Sequence, residues 1–258
     1  MVRTRPVPEA VSRYGSREWF EAAYRRTARD PWGLTWRPTQ LYRYAVMMSE
    51  LERCVSARHL AVDSAVDVGC ATGDFLNLLA ESLPPVRQRR LIGVDLSATA
   101  IERARSRYPH LEFLISGLDA LPQQLAGPAD LVCCLEVLYY LAAEDRPRAI
   151  ATLRSMLRPE GLLLASSMTG AAPYMDCRQL CELVAREFHI VAAAGLELWP
   201  LVSLERLALR TRLAPQFDLE RFRPGRSGFE VMRRLARGCG ALFGKRAQSH
   251  AYVIATPR

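Results

Sequence analysis

The chain has 258 residues and a mass of 29.0 kDa, is half apolar and 24% charged, and so suits one globular domain with additions rather than a disordered chain. No apolar run reaches the roughly 18 residues of a membrane helix, so neither a span nor a membrane partner is expected. The net charge of +8 is uneven: eleven Lys/Arg against six Asp/Glu over residues 1–60, twelve against seventeen over 61–198, and eleven against four over 199–246. Basic flanks of this kind fit solvated arginines better than nucleic acid, because no RNA- or DNA-binding pattern accompanies them.

The start, Met1-Val2-Arg3-Thr4-Arg5-Pro6-Val7-Pro8, has no apolar signal core, which makes a cytoplasmic location the expectation. Residues 1–60 read as a helical cap or lid. They are dense in aromatics (Trp19, Phe20, Tyr24, Trp32, Trp36, Tyr42 and Tyr44), enough to close a hydrophobic roof over a cofactor or simply to fill a core.

From residue 61 to 198, strand and helix patterns alternate. Residues 64–68 are a β-branched run that stops at Gly69, and 75–80 read as a helix ended by Pro84-Pro85. Residues 90–95, 111–115, 129–135 and 161–166 read as further strands. A helix is expected over 98–108, and another from the end of the 129–135 strand through Leu157. This spacing implies an α/β fold: right-handed βαβ crossovers and a mostly parallel, Rossmann-like sheet with helices on both faces. Residues 199–246 then interrupt the pattern with helices over 201–209 and 229–243, broken by Pro215, Pro224-Gly225 and Gly228. An apolar stripe at Val231, Leu235 and Leu242 suits a lid, a homodimer surface or a packed helical pair. Residues 250–255, within a closing segment 247–258, read as the last strand of the core.

The chemistry is expected where the first strand meets its helix, at Asp67-Val68-Gly69-Cys70-Ala71-Thr72-Gly73-Asp74. Open α/β sheets bind ligands beyond the carboxyl ends of their strands, and glycines let a ligand approach the backbone. A dinucleotide would need glycines at 69, 71 and 74, but Ala71 and Asp74 stand there, and an aspartate at a helix N-terminus repels pyrophosphate. Asp67, Asp74 and Asp95 together favour a ligand with positive charge and free ribose hydroxyls. S-adenosylmethionine has both. Asp95 lies where a carboxylate accepting both ribose hydroxyls belongs. Gly69 and Gly73 are expected to face the methionine moiety, with no room for a side chain.

Residues 61–166 resemble class I S-adenosylmethionine-dependent methyltransferases, in which Asp67-x-Gly69-x-Ala71-x-Gly73 matches the first motif and Asp95 the second-strand acid. A narrower resemblance, to the nodulation protein S family of aminosugar N-methyltransferases, rests on Asp30-Pro31-Trp32, Gly69-Cys70-Ala71-x-Gly73 and Glu136-Val137-Leu138-Tyr139-Tyr140-Leu141. Arg43 falls at that family's spacing after Asp-Pro-Trp. The resemblance implies a seven-stranded sheet with an N-terminal helical cap and an inserted helical segment before the last strand. It implies cofactor contacts from Trp32, Arg43, Asp67, Gly69, Cys70, Ala71, Gly73, Asp95 and Leu96, with Leu118, Asp119 and Leu135 following. Gly117-Leu118 precede Asp119 where the family has Ser or Gly directly before its acid. No metal site is expected, and the seven cysteines form no zinc or disulfide framework. With Lys245 the single lysine, Schiff-base chemistry is a poor fit.

Methyl transfer is an in-line displacement in which positioning does most of the work, although the acceptor must still lose a proton. Glu136 at the end of the fourth strand and Tyr139 or Tyr140 one turn later are the best-placed catalytic candidates. His250 is a further one, and His189 is read as structural. The expected function is methyl transfer to a small molecule in secondary metabolism, to an amine of aminosugar type. The alternatives are O-methylation of a phenol, carboxylate or sugar hydroxyl, and a cofactor-binding scaffold or RNA-associated protein.

Overall fold

Two helices open the described part of the computed structural model: α1 (Arg17–Arg25) and α2 (Pro38–Ala57). The model describes residues 13–27, 30–84, 89–210 and 219–258; the chain start at 1–8, Pro85 and Pro215 lie outside these. Ser16 caps α1, its hydroxyl accepting the Trp19 N–H at 3.2 Å. Pro38 opens α2 at a position where its missing N–H costs nothing. No side chain of the preceding residue caps α2. Glu205, from a helix far along the chain, accepts the Thr39 N–H at 3.1 Å and the Thr39 hydroxyl at 2.7 Å.

The sheet comprises β1 (Ser64–Val68), β2 (Arg90–Asp95), β3 (Glu112–Ile115), β4 (Ala129–Leu135), β5 (Leu157–Met168), β6 (Phe188–Leu196) and β7 (His250–Pro257). Their order is β3-β2-β1-β4-β5-β7-β6, parallel except for β7, which runs antiparallel to both β5 and β6. The seven-stranded α/β reading holds. The remaining helices are α3 (Asp74–Ser82), α4 (Ala98–Arg107), α5 (Arg146–Ser155), α6 (Cys177–Val184), α7 (Trp199–Arg210) and α8 (Ser227–Phe243). One core lies on the α2–α3 side of the sheet, through Leu41, Met47, Leu76 and Leu164; the other lies on the α5–α6 side, through Ile150, Val132, Leu163 and Phe188. Both faces are covered, which is why β4 is buried at every residue and reads as a continuous apolar run. Each such buried Leu or Ile contributes about 1.5–3 kcal/mol of transfer free energy.

Three details depart from the sequence reading. The helix expected directly after β4 begins only at Arg146, because Glu136 has φ +61° and a 3-10 turn at Leu138–Tyr140 precedes it; Pro147 then sets the new start. That helix stops before Leu157, which already belongs to β5. On α8 the residues turned inward are Phe229, Met232 and Ala236, with Phe229 against Tyr42 at 5.2 Å between ring centres. Val231 and Leu235 of the expected stripe are about half exposed, and Leu242 is 79% exposed. No helix among the described residues is long and apolar enough to cross a membrane.

The chain order of the strands reverses about β1: β2 lies on one side of it and β4 on the other. A crevice opens at the carboxyl ends of strands at such a switch.

Candidate functional site

A cavity of about 400 Å³ occupies that crevice, floored by the ends of β1, β2 and β4 and roofed by the N-terminal segment. The floor begins with the turn after β1. The N–H groups of Gly69 and Cys70 both donate to the Val94 carbonyl, at 2.7 and 2.9 Å, which binds the turn to β2. Ala71 stands at φ +51°, unusual for a residue with a Cβ, and its N–H donates to Asp95 Oδ2 at 3.0 Å. Asp95 Oδ1 accepts the Ser97 N–H at 2.9 Å, so one carboxylate braces the start of α4 and the glycine turn together. Asp67 lines the cavity from beneath. Desolvation pushes its pKa up to about 8, and the charge of Asp95 adds to the rise.

Neither glycine has room for a side chain. A Cβ on Gly69, at φ +75°, would meet Val137 Cγ2 at 2.3 Å; on Gly73, at φ +82°, it would meet the Phe113 ring at 2.8 Å. Protein atoms fill both spaces. Gly69 lines the cavity, whereas Gly73 lies behind it at the start of α3. Asp74 also turns away: it accepts the Tyr108 hydroxyl at 2.8 Å and the Thr72 hydroxyl, and lies 3.3 Å from Arg107. Asp67 and Asp95 therefore face the cavity without it.

The roof is built from the N-terminal aromatics. Asp30 accepts the N–H groups of Trp32 and Thr35 at 2.8 and 3.0 Å, the turn that the Asp-Pro-Trp sequence encodes. It aims Trp32, whose indole N–H donates to the Tyr24 hydroxyl at 3.0 Å and whose ring stacks on Trp19 at 5.5 Å. Glu21 of α1 latches this segment down by accepting the hydroxyls of Ser97 and Thr99 at the start of α4. Trp36 and Tyr42 stand outside the lining.

At the other end, Arg43 from α2 is 1% exposed, and its Nη1 lies 2.7 Å from Glu136 Oε1. The same Glu136 oxygen accepts the Ser166 hydroxyl at 2.7 Å. Glu136 Oε2 and Arg43 Nε are buried and meet no hydrogen-bond partner among the described residues. Glu136 and Ala71, two of the three non-glycine residues at positive φ among the described residues, both line the cavity. Strained backbone of this sort persists where the surroundings impose it, and it gathers at functional sites. Tyr139 packs between Tyr140, tilted at 4.5 Å, and Tyr174, edge-on at 5.0 Å between centres. Burial first, and then the Glu136 charge, hold its hydroxyl protonated well above the usual range. His250 is buried, with Nδ1 2.8 Å from the Ser249 hydroxyl. Desolvation, then Arg43, Arg37 and Arg206, hold its imidazole neutral far below its ordinary pKa.

Of the predicted residues, Trp32, Arg43, Asp67, Gly69, Cys70, Ala71, Asp95, Leu96, Leu118, Leu135, Glu136, Tyr139 and His250 are brought together on this lining. Asp119 is not. Its carboxylate is 72% exposed and 3.5 Å from Arg148, while Ser116 and Leu118 take the place beside Leu96. His189 is exposed on β6. The sequence reading missed Tyr14, Tyr174 and the α7 residues Trp199, Val202 and Arg206 as cavity residues. The place of the α7 residues over the cavity depends on the pairing of Glu205 with Thr39 at the start of α2, far away in the chain.

A methyltransferase-domain family model matches residues 65–161. Nodulation protein S of Azorhizobium caulinodans is 27% identical over 161 residues, 62% of this chain and 71% of that protein. Nodulation protein S of Bradyrhizobium diazoefficiens is 34% identical over 142 residues, 54% of this chain and 62% of that protein. Among solved structures, the nodulation N-methyltransferase of Bradyrhizobium japonicum WM9, in complex with S-adenosyl-L-homocysteine, superposes with a TM-score of 0.59 at 20% identity, covering 92% of this chain and 97% of that one. Residues 65–161 are thus a methyltransferase domain of the S-adenosyl-L-methionine-dependent kind, in a chain that is similar to the nodulation S proteins and shares the fold of one of them.

Proposed function

We propose that the chain transfers the methyl group of S-adenosyl-L-methionine to an amine nitrogen of a small molecule. One observation carries this reading: a single cavity holds a backbone-braced carboxylate, Asp95, at one end and the Arg43–Glu136 pair at the other. The lining fits the cofactor. Asp95 stands at a strand end where ribose hydroxyls can donate to it, and the roof supplies aromatic faces for an apolar body. Arg43, buried with Nε unpartnered among the described residues, suits the carboxylate of the amino-acid part, and Asp67 suits its ammonium. When bound, S-adenosylmethionine supplies an electrophilic methyl group on a sulfonium.

The chain's own residues then have three tasks. The roof and floor exclude water and hold the acceptor on line. Arg43 and Ser166 fix Glu136 by one oxygen, leaving the buried Oε2 to accept a hydrogen bond or proton from the acceptor. Tyr139, kept protonated, orients the acceptor as a hydroxyl rather than acting as a base. The intact turn and the two cavity acids favour this reading over a scaffold that has lost its chemistry. The alternative, O-methylation, would need His250 on the lining to take the hydroxyl proton, against the burial and the arginine charges that keep this imidazole neutral. A panel of amines, phenols and acids incubated with methyl-labelled cofactor separates the two. Label in a base-stable N-methyl product supports the proposal, and label confined to ethers or esters overturns it.

Two binding experiments test the cofactor end. Asp95→Ala removes the ribose acceptor and the brace on Ala71 at once, so S-adenosylhomocysteine affinity by calorimetry is expected to fall by about 1.5–3 kcal/mol, or roughly 10–150-fold. An unchanged affinity would place the ribose elsewhere. The second is a pH titration. Asp67 holds a proton below about pH 8 in the free protein, and an ammonium placed against it favours the ionised form. Binding must then release that proton, so affinity is expected to strengthen as pH rises from 6 towards 8 and to level off above, by up to about tenfold per pH unit. Asp67→Asn should flatten the profile, and a wild-type profile that is already flat would remove Asp67 from the ammonium contact.

A further inference from the structure

The cavity does not end at Glu136. Beyond His250 its wall passes to α7, where the buried Val202 and the solvent-exposed Trp199 and Arg206 line it with Met168 and Tyr174. Helix α7 is held there by the Glu205 carboxylate, which spends both its oxygens on Thr39 and Arg37 of the α2 start. The position of α7 against α2 is thus fixed by a buried anchor between the two helices.

The charges at this end do not balance. Three arginine guanidinium groups act on the buried His250: those of Arg43, Arg37 and Arg206. Arg43 is matched by Glu136 at 2.7 Å, and Arg37 by Glu205 at 2.7 Å. Arg206 has no carboxylate partner among the described residues; its guanidinium lies 5.4 Å from the centre of the Trp199 ring instead. One positive charge is therefore left at the mouth, presented on an aromatic face. The remaining polar groups of the lining are mostly hydroxyls, from six tyrosines and two serines. The acids of the lining are Asp67, Asp95 and Glu136, and Gln40 is its single carboxamide.

We propose that the acceptor is a small aromatic or otherwise apolar amine bearing an anionic group, such as a carboxylate, sulfonate or phosphate, and that Arg206 binds this group at the cavity mouth. The inference rests on the methyl-transfer reading above and names the substrate class for that site. The apolar frame lies along Trp199, Val202 and Met168, the acidic group meets the guanidinium, and the amine reaches inward towards Glu136. Arg206 thereby sets specificity without touching the reacting atoms.

Ligand-observed NMR on the full chain saturated with S-adenosylhomocysteine tests this with matched probe pairs: 4-(aminomethyl)benzoate against benzylamine, and anthranilate against aniline. The acidic member of each pair is expected to bind at least about tenfold more tightly, the gain of one charge-assisted contact. Arg206→Gln should erase the difference, and Arg206→Lys should keep part of it, because the charge remains while the planar fork is lost. Equal binding within each pair, failure of the acidic members to bind, or an undiminished preference in Arg206→Gln would each overturn the inference. If S-adenosylhomocysteine itself fails to saturate the protein, the methyl-transfer reading falls and this inference with it. Saturation without any acid preference sinks the inference alone.

Discussion

Gly69→Val is expected to abolish S-adenosylhomocysteine binding while leaving a folded protein by circular dichroism. The backbone at residue 69 sits at φ +75°, which a β-branched side chain adopts only under strain, and the new Cβ would lie 2.3 Å from Val137 Cγ2. Val137 cannot simply yield, because Glu136 before it is already at positive φ and bound to both Arg43 and Ser166. Relief must come from the turn itself, which is tied to β2 through two hydrogen bonds to Val94 and through Ala71 to Asp95. Moving it displaces Asp95 and the floor of the cavity together. The strain alone costs on the order of 1–3 kcal/mol, which a folded domain can survive. Gly225→Val is the control: φ there is +82°, but nothing lies within 4 Å of the new Cβ and the residue is not on the lining. It should lower the melting temperature and leave binding intact. Normal binding by Gly69→Val would mean that the ligand lies elsewhere.

The parts of this molecule that were legible in the sequence are those where one physical cause dominates. The buried parallel strands had to be nearly all apolar, and β1, β2, β4 and β5 stood out for that reason. The glycine turn stood out because its backbone tolerates few side chains. Strand β6 did not emerge as an element of its own, since Phe188–Leu196 is an edge strand with exposed residues and an alanine-rich centre. On α8 two apolar faces alternate, and helical periodicity cannot say which one the core will take; the Tyr42–Phe229 contact decides it. Asp119 was carried in by a motif whose spacing is altered here, and one inserted residue suffices to turn its carboxylate out to Arg148. The contribution of α7 was hidden for another reason. Its place over the cavity depends on Glu205 capping a helix 166 residues earlier, a long-range pairing that no local pattern encodes.

Glu136→Gln is expected to lower the methyl-transfer rate by about 10²–10⁴-fold, the usual contribution of a positioned general base. Glutamine keeps the shape and the hydrogen bond from Ser166 but cannot take the acceptor's proton at the position of Oε2. The substitution also strips Arg43 of its counter-charge, and a buried cation left alone is costly. This second effect gives the test its sign. If Arg43 holds the carboxylate of the cofactor, removing the competing glutamate leaves the guanidinium freer to do so, and S-adenosylhomocysteine affinity should hold steady or rise while turnover collapses. A fall in affinity matching the fall in rate would make Glu136 a binding residue instead. Near-full turnover would move the proton to His250 or to no base at all. Acceptor chemistry adds an independent check, because an amine must be neutral before it attacks. The wild-type rate should therefore climb with pH towards the amine's own pKa, whereas a phenol or sugar hydroxyl would follow the enzyme's base. With His250 already neutral far below its ordinary pKa, no inflection near pH 6.5 should belong to it. A rate limb there that disappears in His250→Gln would reassign the base to that imidazole.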